Sequence, residues 1–204
     1  KTITAPPTPT PVIPVITNDE DTTPPKQEFK DLDSVTWAHD AINDLFGKGI
    51  VSNGDEFRPN DNITRAEFTK LVVLGFGLLD TQSTCDFSDV ATGDWAYRYV
   101  ASAQKAGIVG GTAEHTFLPM EKITRQDMSL IIFKALKLKK DLTTTDTSEF
   151  ADQDDISPYA VEAVLSMKSN GIISGTGDNL FMPKNLATRA EASVIIYKSI
   201  KVGQ

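Results

Sequence analysis

The stretch Phe57-Arg58-Pro59-Asn60-Asp61-Asn62-Ile63-Thr64-Arg65-Ala66-Glu67 returns as Phe117-Leu118-Pro119-Met120-Glu121-Lys122-Ile123-Thr124-Arg125-Gln126-Asp127. It returns once more as Phe181-Met182-Pro183-Lys184-Asn185-Leu186-Ala187-Thr188-Arg189-Ala190-Glu191. In each copy a Phe-x-Pro turn is followed, six residues after the proline, by an arginine directly behind a threonine. Upstream the copies agree as well. Phe29-Lys30-Asp31, Phe87-Ser88-Asp89 and Phe150-Ala151-Asp152 each precede a large aromatic, at Trp37, Trp95 and Tyr159. Twelve residues after each aromatic stands Gly-Ile, at Gly49, Gly107 and Gly171. Ordered landmarks that recur at near-fixed offsets are the signature of a repeat architecture.

Each repeat reads as helix, loop, helix. The first helix is expected to begin near the aromatic and to end at Gly-Ile, where glycine takes the left-handed conformation of a terminated helix. In the third copy Ser157-Pro158 reads as an N-cap followed by proline at the first helical position. The apolar stripe of this helix is Ala41, Ile42 and Leu45, then Tyr99, Val100 and Ala103, then Ala163, Val164 and Met167. The second helix begins at Thr-Arg. Threonine followed three residues later by Glu is a capping box, with Asp127 a close variant. Its stripe, Phe68, Leu71 and Val72, then Met128, Ile131 and Ile132, then Ala192, Ile195 and Ile196, is the most apolar in the chain. A lone hairpin of about 50 residues has a marginal core, so the three second helices are expected to share one at the centre.

Composition narrows the function. The net charge of −8 over 204 residues excludes a phosphate-tracking basic stripe and with it nucleic acid. No apolar run approaches the roughly 18 residues that cross a bilayer as a helix, so no membrane partner is expected. Cys85 is the single cysteine, and His39 and His115 lie in different repeats. Neither a disulfide nor a nitrogen–sulfur zinc site follows, and no metal or cofactor is expected. Asn60-Asp61-Asn62 before a helix invites an EF-hand reading, but its oxygens do not continue at that spacing and Arg65 falls inside the loop. No carboxylate pair, Ser/His/Asp order or phosphate-cradling glycine loop assigns catalysis. A protein-binding adaptor, a common use of helical repeats, stays open beside a glycan-binding role.

Residues 1–28 hold seven of the eleven prolines and seven threonines, the composition of an extended, semi-rigid spacer. The divisions expected are thus a linker at 1–28 and repeats at 29–80, 81–145 and 146–204. The chain starts at Lys1 without methionine or an apolar leader, so an export signal is expected outside it, and a cargo domain is expected N-terminal to residue 1.

The ordered set Phe-x-Asp, Trp, Gly-Ile-Val, Phe-x-Pro and Ile-Thr-Arg-Ala-Glu, in triplicate over residues 29 to about 200, resembles the surface-layer homology module of bacterial S-layer proteins and cell-surface exoproteins. The resemblance implies an all-α, pseudo-threefold spindle around a central three-helix bundle, monomeric because three modules stand in for three subunits. It implies a secreted, cell-surface protein that holds a secondary cell-wall polysaccharide, often pyruvylated, and is not an enzyme.

The capping box explains the threonines and acids but not the arginines. A helix N-terminus carries partial positive charge, so a cation there is mildly unfavourable. Arg65, Arg125 and Arg189 therefore read as held for an anion, such as a pyruvyl carboxylate, or for a salt bridge to Asp31, Asp89 or Asp152. Trp37, Trp95 and Tyr159 read first as core packing, and the resemblance moves them to a groove wall. It further implies inter-module grooves that join Arg65 to Trp95 and Gly110-Gly111-Thr112, and Arg125 to Tyr159 and Ser174-Gly175-Thr176. Arg189 would join Trp37 and Ser52-Asn53-Gly54. Arg125→Ala is expected to weaken wall binding with helical content intact. The copies differ: the first loop is two residues shorter, Tyr159 replaces tryptophan, and Gln126-Asp127 replaces Ala-Glu. Unequal occupancy is expected, with one or two grooves dominant and the groove that uses the shortened loop the least assured of the three.

Overall fold

The computed structural model describes residues 29–204 apart from Ala113 and Thr147; the expected spacer at 1–28 lies outside the described residues. The protein is all-helical. Among the described residues the α-helices are α1 (His39–Gly47), α2 (Arg65–Gly75), α3 (Tyr97–Lys105), α4 (Arg125–Lys137), α5 (Val161–Ser169) and α6 (Arg189–Val202). Among the described residues extended backbone pairs only in isolated bridges.

The second helix of each repeat begins where the Thr-Arg motif requires. Thr64, Thr124 and Thr188 are extended N-cap residues whose side chains accept from the backbone N–H of Glu67, Asp127 and Glu191. Glu67 and Glu191 complete the box by accepting the N-cap N–H at 2.8 Å. Asp127, one methylene shorter, reaches only the Thr124 hydroxyl, at 2.6 Å. First helices end as expected: Gly49, Gly107 and Gly171 have φ of +69°, +73° and +68°, where a Cβ would be strained. Their starts differ from expectation. α5 begins at Val161 with Ala160 as N-cap, and Ser157-Pro158 belongs to a preceding turn closed by Ala160 N–H to Ser157 C=O at 2.8 Å. The Ser157 hydroxyl is instead taken by Gln126 and Lys184, so it is not free to cap. In the first repeat a 3-10 helix, Asp33–Ala38, carries Trp37 ahead of α1.

The helices pool their apolar faces. α2, α4 and α6 each touch the other two, and each packs against the first helix of the next repeat, α2 on α3, α4 on α5 and α6 back on α1. Phe68, Met128 and Ile132 are fully buried there with Val72 and Ile196. Every residue of the expected first-helix stripes is buried, and of the second-helix stripes only Leu71 is half-buried. The backbone closes the same cycle. Ile63 N–H donates to Ala187 C=O, Ala187 N–H to Ile123 C=O and Ile123 N–H to Ile63 C=O, at 3.0, 2.9 and 3.2 Å. The N–H groups of Arg65, Arg125 and Arg189, orphans at helix N-termini, find Glu121, Asn185 and Asp61 carbonyls across the repeat boundary. Each repeat therefore caps the helix of another.

Candidate functional site

Each Phe-x-Pro turn places its middle residue, Arg58, Leu118 or Met182, at φ of +57°, +61° or +58°. That left-handed conformation costs a non-glycine residue about 1–2 kcal/mol. The preceding Phe-x-Asp motif explains how it is held. Asp31 accepts the N–H groups of Phe57 and Arg58 at 2.8 and 2.6 Å, Asp89 those of Phe117 and Leu118 at 2.7 Å each, and Asp152 those of Phe181 and Met182 at 2.8 and 2.7 Å. With both carboxylate oxygens committed to the turn, these aspartates do not line a groove. They are also not the arginines' ion-pair partners, which corrects the sequence expectation on both counts. Asp152→Ala removes two charge-assisted bonds and exposes the strain of Met182, so it is expected to lower stability by about 3 kcal/mol, read as the shift in urea midpoint.

The turn delivers a phenylalanine and its carbonyl to the arginine of another repeat. Arg65 Nε donates to Phe117 C=O at 3.0 Å with its guanidinium 4.8 Å from that ring; Arg125 does the same to Phe181 (2.8 and 5.4 Å) and Arg189 to Phe57 (2.8 and 4.9 Å). Cation–π contact and a carbonyl acceptor account for a cation at a helix N-terminus without any ligand. The arginines are thus also inter-repeat staples, and Arg125→Ala is expected to cost stability as well as binding, contrary to the sequence expectation.

Three grooves surround these arginines, and each draws on all three repeats. Arg65 faces Gly110, Gly111, Thr112 and Tyr159 in a groove of about 620 Å³. Arg125 faces Ile172, Ile173, Ser174 and Trp37 in about 200 Å³, and Arg189 faces Ser52, Asn53 and Trp95 in about 320 Å³. Of the loops that the resemblance implied, Gly110-Gly111-Thr112 lines the Arg65 groove, Ser52 and Asn53 the Arg189 groove and Ser174 the Arg125 groove, but every aromatic is displaced by one repeat: Trp95 belongs with Arg189, Tyr159 with Arg65 and Trp37 with Arg125. The reason is packing. Each first helix lies on the second helix of the repeat before it, so its aromatic hangs over the groove formed on that helix's other neighbour. The rings are not core residues either, since Trp37, Trp95 and Tyr159 are 60, 54 and 55% exposed.

The loops are less uniform than their glycines implied. A Cβ on Gly111 would stand 2.6 Å from the Phe87 ring and 2.9 Å from Thr116 C=O, so core packing demands this glycine. Thr112 and Thr116 pair their hydroxyls at 2.7 Å beside it. Gly175 and Thr176 do not line the Arg125 groove; Gly175 is crowded by Asn179, and the Thr176 N–H closes a turn onto Leu180 C=O. The shortened first loop still forms a groove, with Lys70 donating to the Ser52 hydroxyl at 2.7 Å.

Sequence reading missed one lysine per groove, Lys122, Lys198 and Lys70 in the Arg65, Arg125 and Arg189 grooves. They occupy unrelated positions in the repeat, so no periodic signal marks them. It also missed the arginines' carboxylate partners. Glu191 meets Arg125 at 2.7 Å and Glu67 meets Arg189 at 3.2 Å, each with the oxygen its capping box leaves over. Burial alone would raise the Glu67 carboxyl, but the Thr64 N–H and hydroxyl, Arg189 and Lys122 outweigh it and hold it below the usual range. A depressed folded value stabilises the fold above the unfolded value near 4.5, and that stability is lost as pH falls through the folded value. Melting temperature is therefore expected to fall between about pH 5 and pH 3, with a smaller fall in Glu67→Gln, as differential scanning calorimetry would show. Desolvation by burial lowers the pKa of Arg65 and of Arg189.

Among the described residues no group of three or more metal-ligating side chains forms, and no helix is long and apolar enough to cross a membrane. Burial raises the half-buried Cys85 thiol.

Comparison with known proteins agrees with this architecture. The S-layer homology domain model matches three times, at residues 28–69, 86–129 and 149–193. The chain is 35% identical over 173 residues to an amylopullulanase of Thermoanaerobacterium thermosulfurigenes and 34% identical over 173 residues to the exoglucanase XynX of Acetivibrio thermocellus. It is 32% identical over 176 residues to the S-layer protein sap of Bacillus anthracis. These alignments take in 83, 83 and 85% of the chain but only 9, 16 and 21% of those proteins. The chain thus spans less than a quarter of the length of each of these relatives. The chain belongs to the S-layer homology domain family, as three successive modules of a secreted protein of the bacterial cell surface.

Proposed function

We propose that the three modules anchor a larger exoprotein to the cell wall non-covalently, by binding an anionic and pyruvylated secondary cell-wall polysaccharide in the inter-module grooves. The observation that carries this reading is the composition of the grooves. Each sets a half-exposed aromatic ring beside an arginine, a lysine and a loop rich in small or hydroxylated residues. An apolar ring face suits the C–H face of a sugar, and a guanidinium suits its carboxylate. With a net charge of −8, long-range attraction to an anionic polymer is absent, so affinity rests on these local contacts.

The relatives support an anchoring role over a catalytic one: an amylopullulanase, an exoglucanase and an S-layer protein all align with this chain over only 9, 16 and 21% of their length. On this reading any catalysis belongs to segments outside the three modules, and the cargo of this chain is proposed to lie beyond the Pro/Thr-rich residues 1–28. Sedimentation with cell-wall sacculi tests the proposal. The protein should pellet with intact sacculi and stay in solution once the secondary polymer has been chemically stripped; pelleting with bare peptidoglycan would overturn it.

A further inference from the structure

Three residues that depart from the repeat pattern, Gln126, Asp127 and Tyr159, converge on one place. The Tyr159 hydroxyl donates to Asp127 Oδ1 at 2.7 Å and accepts from Gln126 Nε2 at 2.7 Å. Gln126 is buried and also accepts the Ser157 N–H at 3.0 Å, which fixes the turn ahead of α5. A tryptophan at 159 has no hydroxyl to enter this network, and an alanine at 126 has nothing to offer it. The network joins two repeats and defines one wall of the Arg65 groove.

Its consequence falls on Arg65. In the other two grooves the arginine is neutralised internally: Arg125 and Arg189, with side chains only 11 and 21% exposed, pair with Glu191 and Glu67. The corresponding acid in the Arg65 groove is Asp127. One methylene shorter, it has Oδ2 on the Thr124 hydroxyl and Oδ1 on Tyr159, and it makes no ion pair with Arg65. Arg65 turns to neutral acceptors instead, the carbonyls of Phe117 and Gly110 at 3.0 and 2.9 Å. Carbonyls orient a guanidinium without cancelling its charge.

Resting on the groove-binding function proposed above, we infer that the Gln126–Asp127–Tyr159 network makes the Arg65 groove the primary carboxylate-binding groove of this protein, the other two being held in check by their own glutamates. A ligand carboxylate entering the Arg65 groove meets an arginine with no ion pair to break, Asp127 and Glu121 lining the groove without pairing with it. In the Arg125 and Arg189 grooves it must compete with Glu191 or Glu67, which are tethered by their capping boxes. Groove volume points the same way, about 620 Å³ against 200 and 320 Å³. Asp127 and Tyr159 are positioning residues here: they set the state of the arginine.

The test is a titration with a methyl glycoside bearing a 4,6-linked pyruvate ketal, monitored by the arginine Nε–Hε signals in 15N NMR. Arg65 should saturate at roughly tenfold lower concentration than Arg125 or Arg189, the effect of about 1.4 kcal/mol. Asp127→Glu should shrink that gap by pairing Arg65, whereas Glu191→Gln should bring Arg125 toward the concentration at which Arg65 responds. Equal saturation of the three, or Arg125 or Arg189 leading, would overturn the inference and leave the proposed function standing. No response from any arginine, with the protein folded by its amide spectrum, would overturn both.

Discussion

Phe117→Ala is expected to lower unfolding free energy by about 3–5 kcal/mol, the usual effect of emptying a fully buried aromatic site. The side chain is 1% exposed and lies 5.5 Å, centroid to centroid, from the Phe87 ring. It does more than fill space. The Arg65 guanidinium sits over its ring, and its N–H is one of the two that Asp89 holds. Removing the ring therefore loosens the turn, the arginine and the floor of one groove together. Against a total stability of roughly 5–15 kcal/mol for such a protein, this one substitution is severe, and a urea titration would measure it. Because α2, α4 and α6 share one core, the loss should appear in a single cooperative transition. Separate unfolding of one repeat would contradict the pooled core.

The double variant Trp37→Ala, Trp95→Ala is expected to do the reverse, leaving stability nearly unchanged and weakening sacculus binding about tenfold, with the Arg65 groove and its Tyr159 wall untouched. The two rings are 60 and 54% exposed, so neither fills the core. As aromatic walls of two grooves they are the kind of anchor whose truncation costs about 2 kcal/mol or more in an interface. Here both losses fall on the secondary grooves, so what is lost is the avidity that joint engagement of one polymer adds to the Arg65 groove. Co-sedimentation across a range of sacculus concentrations measures it, with melting temperature as the control. Binding within threefold of the parent would remove the aromatic rings from the site.

The helical repeat was legible from residues alone because its determinants are local. Thr64, Thr124 and Thr188 cap the helices they precede, Gly49, Gly107 and Gly171 end helices at positive φ, and the apolar stripes follow the helical period. Such features are decided within a few residues of chain, so spacing reports them faithfully. The arginine–loop pairing was also anticipated, but only through family resemblance.

What depended on contacts distant along the chain was misread. Asp31, Asp89 and Asp152 stand 26 to 29 residues from the N–H groups of Phe57, Phe117 and Phe181, and no pattern in the chain announces that bond. Glu67 and Glu191 were legible as capping residues, yet their second oxygen serves an arginine more than a hundred residues away in one case.

The sequence by itself determined that this chain is three helical modules with an arginine, an aromatic ring and a small-residue loop in each. Only the tertiary structure decided which ring meets which arginine, displacing Trp37, Trp95 and Tyr159 by one repeat from the expected partners. It alone showed that Gln126, Asp127 and Tyr159 are one hydrogen-bonded unit that keeps the Asp127 oxygens from pairing with Arg65. The physical reason is closure: when α6 returns to α1, every groove is built from three repeats, and such a meeting is a property of the cycle rather than of any one copy.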